Sequence, residues 1–332
     1  MQKFKAYKKP VRPPCLVISV GNLCVGGTGK SVVTQFLVEL FYDKRVAIIT
    51  RGYGRRSAST FLLSDGNKLL ASVEEAGDEA YMLASMTSAS VAVGNNRAAA
   101  WLCVKNNDEV VFKQTEIIIL DDGYQNNNLA KNLEIVLVDA LQPFGNNHCL
   151  PAGPLREKSL SRASIVLLTR SDRVKSEDRV CIKNLLSGAG YTGEYYFTRH
   201  AVRAVFLRNA GNDLRQELNG MRCLVMAGIG NFSAFINQMT TLGCCIVDQL
   251  EYRDHYAYTD VDIQALHQHM QQKTITGIIV TAKDWYKLAA LKGALELPLY
   301  VVQVGIEFLS PEEYHKFAGT LQRRLGASTR IS

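Results

Sequence analysis

The chain has 332 residues, 47% hydrophobic and 21% charged, which suits a globular protein long enough for two domains and excludes a disordered or fibrous one. No window reaches about 18 uninterrupted apolar residues, so neither a membrane-spanning helix nor a signal peptide is expected. The net charge of +7 is unevenly placed: no acid precedes Glu39, while Lys3, Lys5, Lys8, Lys9, Arg12 and Lys30 all lie in that stretch.

Residues 1–14 read as a basic arm closed by Pro10, Pro13 and Pro14. Such an arm rests on an anionic membrane surface or on nucleic acid, or is simply solvated. An apolar run at 15–20 then leads into Cys24-Val25-Gly26-Gly27-Thr28-Gly29-Lys30-Ser31 and an amphipathic helix over 29–44. Strand-like runs follow at 46–50, 90–94, 116–120, 133–139 and 165–169, with helical patterns at 78–87 and 96–106. Asp65-Gly66 inside 60–72 predicts a β-hairpin, and the Gly-, Pro- and Asn-rich stretch 145–158 predicts a long functional loop. After a polar stretch at 208–220 the alternation resumes, with strands expected at 222–227, 244–249, 277–281 and 299–304 and helices at 232–242, 260–272, 285–292 and 311–325. The expected fold is α/β: a mostly parallel sheet with helices on both faces over 15–210, and a smaller α/β domain over 211–332. The eight cysteines show no C-x-x-C spacing and read as reduced core thiols of a cytoplasmic protein.

A glycine-rich turn between a strand and a helix, ending in Gly29-Lys30-Ser31, is a phosphate cradle. Its glycines let backbone N–H groups close on the anion. Lys30 reaches the β- and γ-phosphates, and the Ser31 hydroxyl serves a Mg²⁺ ion. Cys24 stands where the first glycine of the usual pattern belongs. The strand 117–120 ends in Asp121-Asp122, the pair of acids that a metal beside such a loop requires. The extra lysine of the K-G-G-x-G-K loop is missing, because Val25 occupies that position. The guanine signature N-K-x-D is missing too, because Lys283 and Asp284 are adjacent. Asp78 opens a helix, either as an acid complementing the helix dipole or as a general base on the substrate side. His255 is either structural or, if it faces Asp78, the group that orients it.

In order along the chain, the loop at 19–31, Thr50-Arg51-Gly52-Tyr53-Gly54-Arg55, Gly77-Asp78-Glu79 and Asp121-Asp122-Gly123-Tyr124-Gln125 resemble the tetraacyldisaccharide 4′-kinase family of lipid A biosynthesis. Leu150-Pro151-Ala152-Gly153-Pro154-Leu155-Arg156-Glu157, Ala227-Gly228-Ile229-Gly230-Asn231, Asp254-His255 and Thr281-x-Lys283-Asp284 continue that resemblance. It implies a P-loop kinase that uses ATP and Mg²⁺ to phosphorylate the 4′-hydroxyl of an acylated glucosamine disaccharide 1-phosphate. It also implies that Asp78 and His255 form a catalytic dyad and that Asp121 and Asp122 serve the metal. Arg156 and Glu157 would border the nucleotide. Arg51, Arg55 and Arg97 would contact substrate phosphate, or be surface arginines. Neither nucleic acid nor an obligate protein partner is called for.

Cys24, Val32, Asn126, Lys158 and Phe232 depart from the residues usual in that family, and the hydrophobic anchoring helix that usually opens it is not found ahead of Pro10. Attachment to the cytoplasmic face of the bacterial inner membrane would then be peripheral, through the basic arm. Rival readings are another sugar-lipid or small-molecule kinase on the same scaffold, and an ATP-driven switch with no phosphorylated product.

Overall fold

The computed structural model describes residues 9–111, 114–175 and 177–326. Of the basic arm, Lys3, Phe4, Lys5, Tyr7 and Lys8 lie outside the described residues. In chain order the elements are β1 (Leu16–Asn22), α1 (Lys30–Leu40), β2 (Val46–Thr50), β3 (Phe61–Asp65), α2 (Val73–Ala76), α3 (Asp78–Met86), β4 (Ser90–Val93), α4 (Arg97–Val111), β5 (Ile117–Asp121), β6 (Leu133–Asp139), β7 (Ile165–Thr169) and α5 (Asp178–Gly188). They continue with β8 (Glu194–Leu207), β9 (Arg222–Ala227), α6 (Phe232–Thr241), β10 (Cys245–Glu251), α7 (Asp260–Lys273), β11 (Gly277–Thr281), α8 (Ala282–Leu288), β12 (Leu299–Phe308) and α9 (Pro311–Leu325).

Among the described residues, twelve strands form one sheet in the order β10-β9-β11-β12-β8-β7-β6-β1-β5-β2-β4-β3. Neighbours are parallel except β3 on β4 and β8 on β12. Strands covered on both faces read as unbroken apolar runs, and β2, β5 and β7 are buried at every position. The fold is the α/β class expected.

Besides the one-turn helix α2, two longer elements, β8 and α5, were not expected from the sequence. β8 is fourteen residues long, yet its outward Arg199 and Arg203 interrupt the apolar pattern. It pairs parallel with β7 through residues 194–197, then antiparallel with β12 through 198–207, and so joins the two halves of the sheet. α5 buries only Ile182 and Leu186, too little to show a helical stripe. The expected hairpin at 60–72 is reduced. The chain does reverse after Asp65, with the Leu70 N–H donating to Leu63 O at 2.8 Å, but the return arm makes a single bridge. The long partner of β3 is β4, because Leu69 and Leu70 are exposed and the chain turns at Ser72 into the capping box of α2.

α9 leaves the second half and returns to the first. Phe317 and Leu321 are fully buried in the core formed by Ile18, Val33, Leu37 and Ile119. Full burial of one such side chain is worth roughly 1.5–3 kcal/mol. Phe36 of α1 meets Phe308 and Phe317 at ring-centroid distances of 6.0 and 6.1 Å. The Tyr196 hydroxyl of β8 donates to Thr320 Oγ1 at 2.8 Å, which sets the rotation of α9 on the strand.

Candidate active site

In parallel sheets, ligands gather at the carboxyl ends of the strands. The loops that follow β1, β2 and β5 meet there. Val20 lies opposite Asp121 in the β1–β5 register, so Asp121 and Asp122 emerge beside the glycine-rich loop. Gly29 caps α1 with φ 88°, a left-handed conformation that favours glycine, and any Cβ there would collide with the His200 imidazole of β8. The first amides of α1 have no intrahelical acceptors and are free for an anion. Val25 is different. Its N–H donates to Pro154 O at 2.8 Å, so it supports the loop rather than facing a phosphate. The Thr28 hydroxyl accepts from Asn22 Nδ2 at 2.9 Å.

The loop at 145–158 meets the head of the glycine-rich loop through a single isolated bridge. Cys24 bridges Leu155, and the Arg156 N–H donates to Leu23 O at 2.7 Å. The Cys24 thiol packs towards Pro143, and burial pushes its pKa up, so it acts here as a small apolar group. This pairing aims Arg156 at Asp122, whose two oxygens accept from Nη1 at 2.8 and 2.9 Å. Gln125 bridges Arg156 Nη1 and Glu157 Oε1 at 3.3 and 3.0 Å.

The two acids after β5 are in different electrostatic states. Asp121 is fully enclosed, and burial followed by the charge of Glu79 pushes its pKa up to about 6. Thr50 and Thr34 donate to its oxygens at 2.9 and 3.3 Å. Burial also works to raise Asp122, but Lys30 at 3.7 Å and Arg156 outweigh it and hold that carboxyl below its ordinary value. Among the described residues no three His, Cys, Asp or Glu side chains converge as a ready-made metal cage.

Asp78 follows Gly77, whose φ of 86° turns the chain beneath Tyr53 O and into α3. Asp78 is 6% exposed, and the His255 ring nitrogen Nδ1 lies 2.9 and 3.0 Å from its two oxygens. These residues are 177 positions apart. Burial works to raise the Asp78 pKa. The hydrogen bond from His255 and the charges of Lys283, His255 and Lys287 overcome it, and the carboxyl sits below its ordinary value. The same hydrogen bond raises His255. Next to Asp78, Glu79 Oε2 accepts from the Ser31 hydroxyl at 3.4 Å, which ties the Asp78–His255 pair to the glycine-rich loop.

The three arginines expected on substrate phosphate lie in different settings. Arg51 is exposed, with Nε on Asn95 Oδ1 at 3.3 Å. Arg55 is half-buried and donates to the carbonyls of Ser59 and Ala58. Arg97 is no surface arginine: it is 3% exposed, its Nη1 and Nη2 donate to Gly94 O and Asp121 O, and its buried Nε has no partner among the described residues. Burial lowers its pKa to about 10, against the charges of Asp121 and Asp122 that work to raise it, and the charges of Arg51 and Arg55 add to the lowering. All three therefore belong to one cationic cluster, with Arg97 as its buried base.

Glu79, Lys283 and Lys287 were not singled out as site residues. Glu79 and Lys283 sat inside quoted motifs, and the spacing of Lys283 and Lys287 puts both on one face of a helix. The helix expected at 285–292 in fact begins at Ala282, because Thr281 caps it by accepting from the Asp284 N–H. That earlier start turns Lys283 and Lys287 towards Asp78, at 3.7 and 3.6 Å.

A family model described as Tetraacyldisaccharide-1-P 4′-kinase matches residues 1–325. The tetraacyldisaccharide 4′-kinase of Desulfatibacillum aliphaticivorans is 32% identical over 97% of this chain and 86% of its own length. That of Halothermothrix orenii is 31% identical over 90% of this chain and 81% of its own. Among solved structures, the LpxK of Aquifex aeolicus, in complex with ATP, is similar with a TM-score of 0.72 and 26% identity, covering 96% of this chain and 91% of that one.

Proposed function

From the premise that this chain belongs to the tetraacyldisaccharide 4′-kinase family, we propose how its own residues carry out the family's reaction. The protein is a kinase that transfers a phosphoryl group from ATP to the 4′-hydroxyl of a tetraacylated glucosamine disaccharide 1-phosphate. The observation that carries the mechanism is the Asp78–His255 hydrogen bond, joined through Glu79 to Ser31 of the phosphate loop.

Asp78 takes the proton of the 4′-hydroxyl as that oxygen attacks the γ-phosphorus. The new O–P bond forms while the bond to the β-phosphate oxygen breaks, ADP leaves, and the proton rests on the Asp78 carboxylate. His255 holds that carboxylate in place. Lys30 and the first amides of α1 draw off the charge that develops on the phosphates. Arg156 and Glu157 fix the nucleotide side, with Gln125 locking their orientation. The cationic cluster of Arg51, Arg55 and Arg97 supports a contact with the 1-phosphate, made by Arg51 and Arg55 and braced by Arg97.

A Mg²⁺ ion fits the donor set. Ser31, Asp121 and Asp122 offer only oxygen, which hard divalent ions prefer, and Mg²⁺ typically uses one or two carboxylates with phosphates and waters. The raised pKa of the buried Asp121 marks negative charge short of compensation. The ion would neutralise charge on the transferring phosphoryl group. The two parts of the sheet joined by β8, with α9 belonging to the first of them, are proposed to close on the bound substrates and exclude water.

The test is incubation with γ-labelled ATP, Mg²⁺ and the acylated disaccharide 1-phosphate in detergent. Label on the disaccharide is the expected result. ATP turnover with no labelled acceptor would instead support an ATP-driven switch.

The lipid acceptor calls for work at a membrane surface, and among the described residues no helix is long and apolar enough to cross one. The proposed site is the cytoplasmic face of the bacterial inner membrane, held by the basic arm at about 1 kcal/mol for each basic residue near an anionic leaflet. Removing residues 1–12 should therefore weaken sedimentation with anionic vesicles, and added salt should release the full chain. Equal binding by both proteins, or binding that ignores salt, would exclude the arm as the attachment.

A further inference from the structure

The segment Thr281-x-Lys283-Asp284 divides its two charges between different tasks. Asp284 is fully buried and accepts from the Gly228 N–H, from Tyr258 Oη at 3.0 Å and from Thr281 Oγ1 at 2.6 Å, so it anchors the turn after β9. Lys283 points the other way, with only 12% of its side chain exposed. Its Nζ lies 2.6 Å from Asp254 Oδ1, 3.7 Å from Asp78 Oδ2, 3.8 Å from Glu79 Oε1 and 3.5 Å from His255 Nε2.

The last contact constrains the histidine. An ammonium group has three donors and no lone pair, so a ring nitrogen facing it must accept. Nε2 of a neutral His255 therefore presents its lone pair to Lys283, and the ring proton sits on Nδ1, directed at Asp78. One group favours the opposite state: Asp254 Oδ2, 3.7 Å from Nε2, would welcome a proton there. Its other oxygen is already taken by Lys283, which offsets its charge. The Tyr53 ring packs on the imidazole at a centroid distance of 5.0 Å, and Lys287 reaches Asp78 from the next turn of α8.

We propose that Lys283 is a positioning residue that holds His255 as the neutral Nδ1–H tautomer, leaving Asp78 oriented on one side and free to accept the sugar proton on the other. The inference rests on the dyad reading above and adds what sets the state of its histidine. An imidazolium at this position would draw electron density from Asp78 and weaken it as a base. Asp78, whose hydrogen bond raises the ring most, and Asp254 both invite that second proton, and Lys283 opposes it. A purely structural ion pair between α8 and α3 would lower activity equally at every pH and leave the histidine unchanged.

The experiment uses the full chain with ¹⁵N-labelled histidine, the His255 signals being identified by their loss in His255→Gln. The wild type is expected to show the Nδ1–H tautomer. In Lys283→Met the His255 midpoint should rise by on the order of one pH unit, and the acid limb of kcat should rise with it. Near neutral pH, kcat should fall about tenfold or more, with KM for ATP changed less than about twofold. Lys283→Arg should restore the midpoint, and Asp254→Asn should lower it. An unchanged tautomer and midpoint in Lys283→Met overturns the proposal, whatever happens to activity. If Lys283→Met fails to fold, Asp254→Asn decides, because Asp254 is half exposed; an unmoved midpoint there overturns the proposal equally. A shifted midpoint with unchanged kcat would leave the tautomer standing and overturn the dyad reading instead.

Discussion

Lys30→Ala is expected to cost about a hundredfold or more in kcat while the chain still folds, because removing one preorganised charge contact from a phosphoryl-transfer site costs that much. Lys30 is the first residue of α1, and its ammonium is 3.7 Å from Asp122. Asp122 would lose one of the two cations that hold it below its ordinary value but keep the other, since Arg156 holds the same carboxylate at 2.8 Å. The variant should therefore unfold within a few degrees of the wild type while failing to label the acceptor. Near-normal turnover would remove Lys30 from the phosphates.

Asp78 and His255 are expected to fail as a unit. A general base contributes about 10²- to 10⁴-fold, and groups that act together are grossly non-additive. Asp78→Ala and His255→Ala should each lose nearly as much as the double variant, and losses that multiply would contradict the dyad. The pair also makes a mark on stability. Asp78 is lowered from 3.8, so its contribution is complete above that value and is lost as pH falls through the folded one. His255 is raised from 6.5, so its contribution is complete below that value and is lost as pH rises through the folded one. The pair therefore stabilises most between 3.8 and 6.5, where Asp78→Ala should cost the most stability, and the variant should lose the falls in stability that the pair causes below 3.8 and above 6.5.

Local pattern revealed the elements that are buried on both faces. Val46–Thr50 and Ile117–Asp121 are apolar because parallel strands have no solvent side. β8 escaped because it lies between two regimes, with Tyr196 and Thr198 inward and Arg199 and Arg203 outward. In the site, the phosphate loop and the two acids after β5 could be read from order and spacing alone. The meeting of Asp78 with His255 could not, because no local rule spans 177 positions; ordered motifs shared with a family supplied it. The burial of Arg97, the pairing of Leu155 with Cys24 and the inward turn of Lys283 depend on long-range packing, which no window of sequence records.

The return of α9 to the first core bears on how the protein is made. A ribosome releases α1 well before α9, yet Phe36 finds Phe308 and Phe317 only when both are present. Until α9 has emerged, the apolar stripe of α1 lacks the part of its cover that Phe317 and Leu321 supply. Domains commonly fold in order as they emerge. A chain held short of α9 would therefore leave that part of the first core open, as apolar surface exposed to chaperones and to self-association.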